Sequence, residues 1–248
     1  MPRELFRVDE LTMSHEEARR RIADNLEMVL QDVASAMSIA GRAGDVRVVG
    51  VSKYVDEHLT RWLVEAGCRD LGENRPQVLM SKHDALLDAG AIRWHQIGHV
   101  QRNKVRKLLL ANPIIHSVDS ARLFDEIAGH AAAADQQVDV LIELNISGES
   151  AKTGLPPDEL IPMIQAKHGD RHVNIIGLMA MAGWGTKPDV ARRQFANLRQ
   201  IRDRAAAESG MAMPELSMGM SGDYAEAIAE GATMVRIGSR LFDGVLPR

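Results

Sequence analysis

Lys53 stands where a valine-rich strand runs out. In VRVVGVSKYVDE, Val46, Val48, Val49 and Val51 make an almost unbroken β-branched run, the pattern of a strand covered on both faces. An ammonium among low-dielectric neighbours gives up its proton more readily, and the free amine can form a Schiff base with a carbonyl compound. The competing role is an ion pair with Glu73 or Asp119 that closes the end of the fold. Position alone weighs the two evenly. Further on, LSMGMSGD (216–223) sets two serines and two glycines ahead of a helix, and VRIGS (235–239) ends a strand on Gly238 and Ser239. Backbone N–H groups at a helix start and small hydroxyls can hold an anion without a lysine, although each turn taken singly reads as a tight loop. Arg236 shares a strand face with Gly238. Beside a pyridine nitrogen a guanidinium can only donate, which leaves the ring unprotonated and a weaker electron sink; the alternative is an ion pair with Glu73 or Asp223. The lysine and the two turns together fit an aldehyde with a phosphate on the other side of its ring.

Such residues meet only if the chain brings distant segments to one end of a sheet. Short apolar runs at 46–53, 70–73, 93–98, 114–119, 139–146, 174–181, 215–220 and 233–239 read as strands. Helical patterns fill 57–66, 76–86, 101–110, 120–134, 158–168, 189–209 and 223–230. An earlier helix at 14–38 begins with Ser14 and Glu17 as a capping box and carries Ile22, Leu26, Val29 and Val33 as its apolar stripe. Eight strand–helix units in 248 residues suit a closed (β/α)8 barrel of the TIM type, and no G-x-G-x-x-G follows the first strand as an open nucleotide-binding sheet would favour. In a barrel the active site lies at the C-terminal strand ends, and the turns after strands seven and eight are the usual phosphate-holding pair. The division predicted is a loosely ordered extension over 1–13 and a single barrel domain over 14–248.

Composition narrows the partners. A net charge of -4 gives no global reason to expect nucleic acid, and no apolar run reaches membrane-spanning length. The N-terminus lacks the apolar core of a signal peptide, and the single Cys68 excludes an internal disulfide or a cysteine zinc cluster, which favours the cytoplasm. His95 and His99 are four apart but flank a strand end, so a metal is not expected. The basic stretch QRNKVRK (101–107) reads as a solvated helix face, and the methionines as barrel filling.

The stretches VGVSK, GEN (72–74), WHQIGHVQRNK, IHSVD, NISGESAKTGL, GLMAM, LSMGMSGDYAEAI and GATMVRIGSRLF, in order from about Arg19 to Phe242, resemble the pyridoxal phosphate homeostasis protein family, of the alanine racemase N-terminal-domain-like fold. The resemblance implies pyridoxal 5′-phosphate on Lys53, phosphate contacts from Ser217 and the Gly238–Ser239 turn, a ring-nitrogen contact from Arg236 and Asn74 near the ring. Met218, beside Ser217, is placed in the same contact set. It also implies a monomeric carrier or regulator of the vitamin B6 pool without established turnover, with related vitamers and pyridoxal phosphate-dependent apoenzymes as partners. The chain departs from the family pattern at Arg75, Ala151 and Asp243, none of which touches Lys53, Ser217 or Arg236; the departure at Arg75 bears on the rim, and with it on access or partner choice. Lys152 is read as screening a bound phosphate or as merely exposed.

Two other functions stay open: an amino-acid racemase or decarboxylase of the same fold, and a class I aldolase-like Schiff-base barrel. Racemases of this fold take a second base, typically a tyrosine, from an added domain. Here the tyrosines are Tyr54 and Tyr224, and strand alternation points Tyr54 away from the Lys53 face.

Overall fold

Eight parallel strands close on themselves in chain order in the computed structural model, which describes residues 5–146, 153–183 and 185–247. The order is α1 (His15–Ile39), β1 (Arg47–Val51), α2 (Glu57–Glu65), β2 (Asp70–Glu73), α3 (Pro76–Ala85), β3 (Arg93–Gln96), α4 (Val105–Leu108), β4 (Ile114–Val118), α5 (Ala121–Ala133), β5 (Val138–Glu143), α6 (Leu160–Lys167), β6 (Val173–Met179), α7 (Pro188–Ser209), β7 (Glu215–Met220), α8 (Tyr224–Ala229) and β8 (Met234–Ile237). Closure is the pairing of β8 with β1, Arg47 beside Met234 and Gly50 beside Ile237. This is the (β/α)8 barrel with an added N-terminal helix that the alternation of segments predicts.

The apolar layer lies between barrel and helices. Leu71, Val140, Ile142, Leu216 and Ile237 of the strands meet Leu59, Leu63, Phe124 and Phe195 of the helices, all buried. At Gly50 a Cβ would stand 2.7 Å from Cys68 Sγ, so the helix layer packs against bare backbone there. Added α1 starts at Ser14, whose Oγ accepts from Glu17 N at 3.2 Å, and lies across α2, α8 and the 3-10 turn Ser239–Phe242. Its Ile22, Leu26, Val29 and Val33 are buried as the stripe requires.

Local structure departs from expectation in two places that matter to the site. β1 stops at Val51, so Lys53 belongs to a turn rather than to the strand. The basic stretch at 101–110 is not one helix but two 3-10 turns around the four residues of α4, with Val105, Leu108 and Leu109 buried. Ahead of α1, Phe6 N donates to Tyr54 O at 2.8 Å and Phe6 O accepts from Asp56 N at 3.0 Å, a short parallel bridge beside the Lys53 turn.

Candidate functional site

The peptide before Lys53 is fixed from outside the barrel. Ser52 Oγ donates to Glu73 Oε1 at 2.8 Å, while Lys82 Nζ, from α3, donates to Ser52 O at 2.8 Å and to Glu73 Oε1 at 2.5 Å. Lys82 is 1 % exposed and Glu73 fully buried, so the pair is desolvated. Burial lowers the Lys82 pKa, opposed by the charge and hydrogen bond of Glu73. The carboxylates considered as partners of Lys53 are thus engaged elsewhere, Glu73 by Lys82 and Asp119 by His99 at 3.1 Å. Among the described residues, the half-buried Lys53 ammonium meets only the ring of Tyr54, 4.9 Å from its centroid. Tyr54 does not point away as strand alternation predicts, because residues 53 and 54 form a turn and the period of two has ended. Lys82 was missed by sequence reasoning. Its signal is a lysine three residues after buried Leu79 and four before buried Leu86, on the apolar stripe of a helix.

Around this turn stand the other mouth residues. Asn74 follows β2; its Oδ1 is buried with no partner among the described residues, and Gly98 packs so close that a Cβ would lie 2.5 Å from Asn74 O. Beside the Lys53 turn on the β8 side, Gly238 N donates to Ser221 Oγ at 3.3 Å, which joins the turns after β7 and β8. A Cβ at Gly238 would meet Val51 Cβ and O at 3.3 Å, so this turn presses against the last residue of β1. Ser239 is exposed on it. The helix after β7 has only 6 residues, so the donors here belong to the turns and owe little to a helix dipole.

Two expected contact residues are elsewhere. Ser217 lies below the rim, because β7 runs on to Met220. Its fully buried Oγ is 2.8 Å from His116 Nδ1 and accepts from Arg236 Nη1 at 2.7 Å. The rim position expected of it belongs to Ser221, the second serine of the same turn motif. Met218 is fully buried in the apolar layer between barrel and helices, so its side chain faces away from the lumen.

Arg236 also donates from Nη2 to Ala180 O at 3.1 Å, so its bonds go to a hydroxyl and a carbonyl rather than to Glu73 or Asp223. Burial lowers its pKa to about 10 against the opposing charges of Asp223 and Glu143. Burial likewise raises the pKa of both acids. Because β4 and β7 are not neighbours in the barrel, the His116–Ser217 contact crosses the lumen. It continues downward: His116 Nε2 is 2.8 Å from His95 Nδ1, and His95 Nε2 is 2.9 Å from Asp70 Oδ1. Asp70 in turn faces Arg47 at 3.6 Å and Arg93 at 3.7 Å. Burial lowers the pKa of His95 and takes that of His116 well below 6.5. His95 and His99 therefore serve different partners, one inside the lumen and one at the rim. Lys152 and Ala151 lie outside the described residues.

Residues 42–245 match the family model described as alanine racemase, N-terminal domain. A pyridoxal phosphate homeostasis protein of Aquifex aeolicus is 39% identical over 220 residues, 88% of this chain and 96% of its own length. The chain belongs to the pyridoxal phosphate homeostasis protein family. A family member from Pseudomonas aeruginosa is 33% identical over 89% of this chain and 94% of its own. PipY of Synechococcus elongatus, solved with pyridoxal phosphate bound, is 30% identical, with a TM-score of 0.80 over 89% of this chain and 99% of that one. An alanine racemase of Clostridium difficile, at 14% identity and a TM-score of 0.67, shares the fold alone. In this family member the candidate residues divide by depth. Lys53, Asn74, Ser221, Gly238 and Ser239 lie at the mouth, Arg236 and Ser217 in the lumen, and Met218 outside it.

Proposed function

We propose that the chain holds pyridoxal 5′-phosphate as a Schiff base on Lys53 and acts in cytoplasmic vitamin B6 homeostasis, as a monomer that buffers or delivers the cofactor without turning over amino acids. The observation that carries this reading is the engagement of Glu73 by Lys82 and of Asp119 by His99, which leaves the Lys53 amine free of carboxylates among the described residues. The neighbouring residues suit the same ligand. The Ser221–Gly238–Ser239 turns offer N–H and hydroxyl donors to a phosphate, with glycine allowing the close approach to Val51. Asn74 Oδ1 is a buried acceptor without a partner among the described residues. The solved PipY complex supports the ligand's identity, and the names of the curated relatives support the homeostatic role.

Pyridoxal phosphate, when bound, supplies an electrophilic aldehyde carbon and an electron-accepting ring. Lys53 supplies the nucleophilic amine. Arg236, unable to accept a proton, favours an unprotonated ring nitrogen, so the site suits retention of the cofactor better than carbanion chemistry on it. The test is direct. Purified protein mixed with pyridoxal phosphate should gain a visible absorption band, and borohydride should fix the label on the peptide containing VGVSK. A protein that stays colourless, or a label on another peptide, overturns the assignment. A sugar Schiff base of the aldolase type would give no visible band, and steady consumption of amino acids would favour the racemase or decarboxylase reading.

A further inference from the structure

The hydrogen-bonded chain through the lumen has one consistent direction. A guanidinium offers no lone pair, so Arg236 Nη1 donates to Ser217 Oγ. The Ser217 proton then goes to His116 Nδ1, which leaves His116 protonated at Nε2 and donating to His95 Nδ1. His95 carries its own proton on Nε2 and donates it to Asp70 Oδ1. The reverse order would set a lone pair of His95 against the Asp70 carboxylate, which Arg47 and Arg93 flank. It would also leave the Ser217 proton without an acceptor. Protonating either imidazole would add a cation beside Arg47 and Arg236, inside a water-poor barrel.

No proton passes beyond Ser217, because Arg236 cannot accept one. The chain therefore orients a donor and delivers nothing. We propose that His116 is a positioning residue for Arg236, acting through Ser217, so that the chain from Asp70 holds the guanidinium as a fixed donor to a ring nitrogen entering the barrel mouth. The ring's identity rests on the pyridoxal phosphate reading; the direction of the chain does not. The titratable groups facing the guanidinium are Asp223 and Glu143, and those facing His116 are the neutral His95 and the cations Arg47 and Arg236.

The test has two arms on the full chain. In protein labelled with 15N-histidine and free of added ligand, His95 and His116 should both show an unprotonated Nδ1 and a protonated Nε2 from mildly acidic to mildly alkaline pH. An Nδ1–H form of either, or an imidazolium signal over that range, overturns the proposal. The second arm compares His116→Asn with His116→Phe. Asparagine can place its amide oxygen where Nδ1 stood and still accept from Ser217, while phenylalanine is closer to histidine in size but accepts nothing. With pyridoxal phosphate added, His116→Asn should keep the wild-type visible band and its flat pH profile. His116→Phe should retain the ligand about tenfold less well and show a band that titrates, as a ring nitrogen released from Arg236 gains a proton. If His116 only fills space, the ranking reverses and phenylalanine is the milder change, which overturns the proposal. So does a His116→Phe protein indistinguishable from wild type. If wild-type protein gains no band at all, the pyridoxal phosphate reading fails, and the tautomer arm alone decides the direction of the chain.

Discussion

Removing the amine of Lys53 should leave the fold standing, because among the described residues that amine meets an exposed ring and no carboxylate. Removing the amine of Lys82 should not. Lys82→Met would leave Glu73 buried with neither oxygen neutralised, and breaking one side of a buried pair costs about 3–5 kcal/mol. Denaturant titration of both variants should give near-wild-type stability for Lys53→Ala and a sharply lowered midpoint for Lys82→Met. Adding Glu73→Gln to the latter should recover part of the loss. Equal destabilisation by the two lysine variants would return Lys53 to a structural role. The phosphate turns make a graded prediction. Losing one hydrogen bond to a charged group costs about 1.5–3 kcal/mol, so Ser221→Ala or Ser239→Ala should weaken pyridoxal phosphate retention roughly 10- to 100-fold, as read by dialysis against the visible band. Ser217→Ala should act differently, by releasing Arg236. Its signature is a changed band more than a lost phosphate grip.

Helix α1 is the element that most needs its place in the fold explained. Its buried stripe packs on α2, α8 and the turn after β8, but its one buried amide does something more specific. Asn25 Nδ2 donates to Leu241 O at 3.2 Å and to Asp243 O at 3.0 Å, and Arg21 Nη1 reaches Gly244 O at 3.3 Å. Those carbonyls close the 3-10 turn that begins at Ser239, so α1 braces the turn after β8 from behind. Asn25→Leu keeps the volume but strands two carbonyls, at a cost of about 1–3 kcal/mol. It should lower thermal stability and, if the brace is transmitted, weaken ligand retention without altering the visible band of what remains bound. Unchanged stability would show that water replaces the amide there. The departure at Asp243 is accommodated in the same way, since Asn25 holds its backbone and leaves its exposed side chain free to vary.

At the scale of the whole molecule, a hydrogen-bonded polar chain threads a barrel lumen that it shares with apolar Ile114, Leu141 and Met179. Buried polar groups cost stability unless they are hydrogen-bonded, and the chain from Asp70 to Arg236 meets that requirement only while both histidines are neutral. The pH dependence follows. Unfolded, His95 and His116 take up protons below their ordinary 6.5; folded, burial holds their pKa values lower. The unfolded chain thus binds more protons in that window, so stability should be level above about pH 6.5 and fall as the pH drops below it. Denaturant titrations across that range should show the decline, with a smaller slope in His116→Phe. A protein equally stable on both sides of the window would mean that the imidazoles take up protons in the fold as readily as in the unfolded chain.

The architecture was legible in the pattern of residues alone. Strand and helix periods are local patterns, so the eight units, the added helix and the placement of Lys53, Asn74, Gly238 and Ser239 at neighbouring strand ends could be read from spacing and composition. Tertiary structure decided what depends on where each strand stops and on which contacts cross the lumen. Ser217 and Ser221 are nearly equivalent in the sequence, and only the extent of β7 puts one below the rim and the other on it. Glu73 could have served Lys53, Arg236 or Lys82, and only the outward direction of its side chain toward α3 gave it to Lys82. The lumen chain joins β2, β3, β4, β7 and β8 through residues as far as 101 positions apart. No local period encodes such pairs. They exist because closing the sheet brings non-adjacent strands face to face across a space that excludes water, where each donor must find its acceptor inside the protein.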